Sequence, residues 1–83
     1  MKKIRVLLIE DNRLLREGLT AMLKEQPDIT VVPSSGNSDA MLKGKKLKPD
    51  VVLLDLGLRS QSSLRVLKLV QLNTPDAKVI VMD

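Results

Sequence analysis

Eighty-three residues suffice for one domain and not for two, and 43% hydrophobic with 29% charged residues is a globular balance rather than a disordered one. The chain has no Cys, His, Phe, Tyr or Trp. That excludes disulfides, zinc–thiolate sites, Cys nucleophiles and His general bases, and it leaves a core of Leu, Val, Ile, Met and Ala. The net charge is +4 with a pI near 9.7. No aromatic platform or nucleic-acid motif accompanies that charge, so direct nucleic-acid binding is not expected.

The basic residues Lys2, Lys3, Arg5, Lys43, Lys45, Lys46 and Lys48 fall at strand starts and helix ends, as a solvated surface would place them. Lys2 and Lys3 precede the apolar run Ile4–Ile9, but Glu10 and Asp11 end it too soon for a signal peptide. That run reads as a strand. Arg13 to Gln26 then reads as a helix with Leu15, Leu19, Met22 and Leu23 on one face and Leu14 and Gly18 beside them. Asn12 is its expected N-cap, and Pro27 stops it.

Ile29-Thr30-Val31-Val32 suits an edge strand ending at Pro33. A weaker helical stripe of Ala40, Met41, Gly44 and Leu47 spans Asp39 to Leu47, capped by Asn37 or Ser38 and followed by Pro49. Val51-Val52-Leu53-Leu54 is the next strand. Ser62 to Leu72 is a helix lined by Leu64, Leu67 and Val70, widened by Val66 and Leu69 and ended by Asn73 and Pro75. Val79-Ile80-Val81-Met82 is the last strand. No stretch approaches the roughly 20 apolar residues of a membrane helix, and a cytoplasmic protein is expected.

Strands alternating with helices argue for a parallel sheet with right-handed crossovers, and nearly continuous apolar strands argue for cover on both faces. In such sheets ligands bind beyond the carboxyl ends of the strands. The strong strands here all run into acid: Glu10 and Asp11 after the first, Asp55 after the third, Asp83 after the fourth. A single acid there could merely favour the positive end of a helix. Several converging carboxylates repel one another and raise each other's pKa unless a cation sits among them, and hard oxygen ligands suit Mg²⁺. The first turn, Glu10-Asp11-Asn12-Arg13, has no glycine and is anionic, which excludes a dinucleotide site.

Ile9-Glu10-Asp11-Asn12 and Pro49-Asp50-Val51-Val52-Leu53-Leu54-Asp55-Leu56, with the spacing from Asp55 to Asp83, resemble the receiver domains of two-component response regulators along the whole chain. The resemblance implies a flavodoxin-like α/β fold: a truncated (βα)3β with strand order 2-1-3-4, lacking the fourth helix, fifth strand and fifth helix. Residues 1–83 would be one incomplete receiver domain with no output domain. Asp55 would accept a phosphoryl group from a histidine kinase. Glu10, Asp11, Asp55 and the backbone carbonyl of Gly57 would hold Mg²⁺. The protein would not be an enzyme beyond Mg²⁺-dependent transfer to its own Asp55, and that only in the complete domain.

The chain departs from the family at Arg59 and Ser63, where Pro and Gly are usual, changes expected to alter the loop and not the chemistry. It departs at Asp83, the switch position usually held by Ser or Thr. The family's phosphate-binding Lys lies on the fifth strand, outside these residues. An alternative therefore stands beside the phosphoacceptor: a phosphorylation-incompetent module with a structural or dimerising role. The fourth strand, with an uncovered sheet face beside it, is expected to drive homo-oligomerisation.

Overall fold

The computed structural model describes residues 3–35, 45–58 and 62–82. Its elements are β1 (Ile4–Ile9), α1 (Arg13–Lys24), β2 (Ile29–Ser34), β3 (Val51–Asp55), α2 (Ser63–Asn73) and β4 (Lys78–Met82). Most of the helix expected over 39–47 lies outside the described residues, as do Arg59 and Asp83; residues 45–47 are helical. Among the described residues no helix is long and apolar enough to cross a membrane.

The four strands form one parallel sheet in the order β2-β1-β3-β4, as expected. Its two faces carry separate cores. Leu7, Ile9, Val52 and Leu54 pack with Leu58, Val66 and Val70 on the side of α2. Val6, Leu8 and Val31 pack with Leu19 and Leu23 of α1 on the other side. Alternation along β1 divides its residues between the two layers, which is why the central strand has to be apolar throughout.

Side chains also stitch the lower end of the sheet. Asp50 Oδ2 accepts the backbone N–H of Arg5 at 2.9 Å, and the Arg5 guanidinium reaches both Asp50 oxygens at 3.4 Å. Arg5 also donates to the carbonyl of Leu47 at 3.3 Å. It is thus a structural tie between β1 and the approach to β3 as well as a partly exposed cation.

The helices differ from their expected faces. α1 begins at Arg13 with Asn12 Oδ1 accepting the N–H of Leu15 at 3.1 Å, as a cap should, and ends at Lys24. Leu15 and Met22 do not enter the core: they are 54% and 66% exposed, while Thr20 is buried. The wide apolar stripe admitted more than one rotation of the helix. The sheet chose the one that presents Leu19, Thr20 and Leu23, with the Thr20 hydroxyl satisfied by the carbonyl of Arg16 at 2.6 Å. On α2, Val66 and Val70 are buried, Leu67 is packed beside them, and Leu64 is exposed. β2 runs through Pro33 to Ser34. The carbonyl of Ser34 accepts from Glu10 at 3.0 Å, so the backbone of Pro33 faces the open side, where no ladder bond needs its missing N–H.

Candidate functional site

The carboxyl ends of β1 and β3 are adjacent because these strands pair from Val6–Val51 to Ile9–Leu54. Each runs on into its acids. Glu10, Asp11 and Asp55 are thereby brought together, with one carboxylate oxygen from each lying within 4.8 Å of the others. Glu10 is almost fully buried and Asp11 and Asp55 are half-buried.

Hydrogen bonds from backbone amides and from one arginine hold these acidic residues. Glu10 Oε2 accepts the N–H of Asn12 at 3.1 Å, and Arg16 of α1 reaches back to donate to the Glu10 carbonyl at 2.8 Å. Asp55 Oδ1 accepts the N–H of Gly57 at 2.9 Å. A side chain on Gly57 would meet that same carboxylate oxygen, at 3.5 Å from its Cβ. The bond to Gly57 fixes the rotation of the Asp55 carboxylate and makes its two oxygens inequivalent.

The electrostatics are those of a crowded anionic pocket. Burial pushes the Glu10 carboxyl up from its ordinary value of 4.5. The Asn12 N–H opposes that rise. A hydrogen bond shared with Asp55, the charge on Asp55 and the charge on Asp11 add to it. Three hard oxygen donors with mutual repulsion form a donor set that fits a divalent cation such as Mg²⁺.

The chain matches the family model of the response regulator receiver domain over residues 6–83. It belongs to that family. The receiver domain is 39% identical over 80 residues to the transcriptional regulatory protein LiaR of Bacillus subtilis, covering 95% of this chain and 38% of LiaR. It is 30% identical over 82 residues to a protein-glutamate methylesterase/protein-glutamine glutaminase of Carboxydothermus hydrogenoformans, covering 98% of this chain and 23% of that protein. Among solved structures it resembles the response regulator domain of Thermotoga maritima CheB, with a TM-score of 0.81 and 31% identity over 96% of this chain and 60% of that one. The receiver domain thus spans well under half the length of these curated relatives.

Of the expected site residues, Glu10, Asp11, Asp55 and Gly57 are gathered at one point, while Asp83 lies outside the described residues. Sequence reading missed the bond from Arg16 to the Glu10 carbonyl, which only the packing of α1 creates. It also set Ser63 aside as a loop change. No local pattern links Ser63 to Asp55, eight positions earlier, yet their contact is direct.

Proposed function

We propose that this receiver domain accepts a phosphoryl group on Asp55 from a phosphohistidine kinase, with Mg²⁺ held by Glu10, Asp11, Asp55 and the backbone carbonyl of Gly57. The observation that carries this reading is the convergence of three carboxylates at the ends of adjacent parallel strands, with donor oxygens within 4.8 Å of one another. Bound Mg²⁺ would offset the charge of the carboxylate and of the incoming phosphoryl group, which otherwise repel. In the transfer an Asp55 carboxylate oxygen bonds to phosphorus, the phosphorus–nitrogen bond of the donor breaks, and the released imidazole takes a proton from solvent.

The chain's own residues set the stage for that step. Gly57 N–H orients the Asp55 carboxylate, and the lack of a side chain at Gly57 leaves the approach open. Asn12 N–H holds Glu10 in place against its neighbours. The domain receives the group and does not turn over a substrate, and its reading as cytoplasmic and free of direct nucleic-acid contact goes with that role. Acetyl phosphate with Mg²⁺, followed by intact mass, tests the proposal. A gain of one phosphoryl group that disappears in Asp55→Asn is expected; labelling that persists in Asp55→Asn overturns the assignment.

Self-association belongs to the same reading. α1 packs over β1 and β2, so Leu53, Ile80 and Met82 on its side of the sheet are only partly covered, and Ile80 is 52% exposed. The outer edge of β4 is short and apolar. A second copy running antiparallel along it would satisfy its backbone groups about a two-fold axis.

A further inference from the structure

Two consecutive peptide groups flank Gly57, and one hydroxyl holds both. The Ser63 Oγ–H donates to the carbonyl of Leu56 at 2.5 Å, with the carbonyl of Asp55 also near it at 3.1 Å. The same oxygen accepts the N–H of Leu58 at 3.3 Å. Ser63 is buried, at 9% exposure, and opens α2, whose cap is supplied separately by Ser62 Oγ on the N–H of Arg65. The Ser63 hydroxyl is therefore not needed to start the helix; it is turned back onto the loop that leaves β3.

Peptide planarity converts those contacts into directions. In a trans peptide the C=O and the N–H point to opposite sides; the described chain has no cis bond. The Leu56–Gly57 peptide has its C=O on Ser63, so its N–H points the other way, and there it meets Asp55 Oδ1 at 2.9 Å. The Gly57–Leu58 peptide has its N–H on Ser63, so the Gly57 carbonyl points away from Ser63. One side chain thus sets the direction of the group that orients the Asp55 carboxylate and of the carbonyl assigned to the metal. Gly57 has no side chain of its own to restrain either plane, so the restraint has to come from outside the turn.

We propose that Ser63 is a positioning residue for the phosphoacceptor site: its hydroxyl aims the Gly57 amide at Asp55 and the Gly57 carbonyl at the cation. The metal part of this inference rests on the function proposed above; the part concerning the Gly57 amide does not. Losing one hydrogen-bonded restraint predicts a modest effect, about fivefold to tenfold in Mg²⁺ affinity.

The test compares Ser63→Ala with Thr74→Val. Thr74 is also buried and its hydroxyl also bonds a backbone carbonyl, that of Val70 at 2.6 Å, but at the far end of α2. In the metal-free protein, ¹H–¹⁵N NMR should show the Gly57 amide shifted upfield and exchanging faster in Ser63→Ala, and unmoved in Thr74→Val. Mg²⁺ titration by calorimetry should then show weaker binding in Ser63→Ala alone. Ser63→Thr, which keeps the hydroxyl, should restore the Gly57 signal. A Gly57 amide unchanged in Ser63→Ala, or moved equally by Thr74→Val, overturns the inference. Wild-type protein without any Mg²⁺ response at Asp55 instead overturns the proposed function, and the Gly57 amide still decides the role of Ser63.

Discussion

Glu10 shows how a strand end becomes a crowded anionic pocket. The side chain is buried just past the end of β1 and so leaves water, which favours its protonated form; the neighbouring Asp55 and Asp11 favour it further. A carboxyl whose folded pKa is raised above 4.5 contributes stability that is complete below 4.5 and is lost as pH rises through the folded value. In metal-free protein the urea midpoint should therefore fall as pH rises from 4.5 toward neutrality, with a slope bounded at about 1.4 kcal/mol per pH unit for one proton. Glu10→Gln should flatten that slope, and millimolar Mg²⁺ should remove the loss near neutral pH in wild type. An identical slope in Glu10→Gln would place the titration elsewhere.

The elements hold the site through their ends more than through their middles. α1 starts where the acids stop because Asn12 serves both: its side chain caps the helix through Leu15 and its N–H holds Glu10. Asn12→Ala should cost about 1 kcal/mol of stability by urea unfolding, the usual worth of an N-cap, since the N–H bond to Glu10 survives the change. Core positions should weigh more. Leu54 is fully buried beneath α2, and Leu54→Ala should cost about 2–5 kcal/mol, whereas Leu14→Ala, at a residue 81% exposed, should stay within about 0.5 kcal/mol. Equal losses in the two variants would contradict the layering described here.

At the scale of the whole molecule, the two faces of the sheet are unequally covered. The α2 side closes over Val52 and Leu54, whereas on the α1 side Leu53 remains half-open beside its register partner Ile80 of β4, which is 52% exposed. Apolar surface next to an open strand edge favours association. Multi-angle light scattering of the 83-residue chain should give a mass that rises with concentration above the 9.2 kDa of one copy. Ile80→Lys should return it to one copy by placing a charge on that surface. A constant mass of 9.2 kDa at every concentration would set the self-association reading aside.

The sequence by itself determined what is periodic and local. Continuous apolar runs marked β1, β3 and β4, Asn12 and the prolines marked helix limits, and acids closing parallel strands marked the pocket, because strand order and right-handed crossover leave those ends together. What it left open depends on contacts between segments. Leu15 and Leu19 carry equivalent signals in a 3.6-residue repeat, and only the sheet beneath α1 decides that Leu19 is inside and Leu15 outside. Arg5 reads as one more surface cation until β3 brings Asp50 beside it. Ser63 reads as a loop substitution until the turn after β3 folds back and places the carbonyls of Asp55 and Leu56 on its hydroxyl. A hydroxyl has many possible partners and no periodicity, so its role is decided only when the tertiary structure removes all but these.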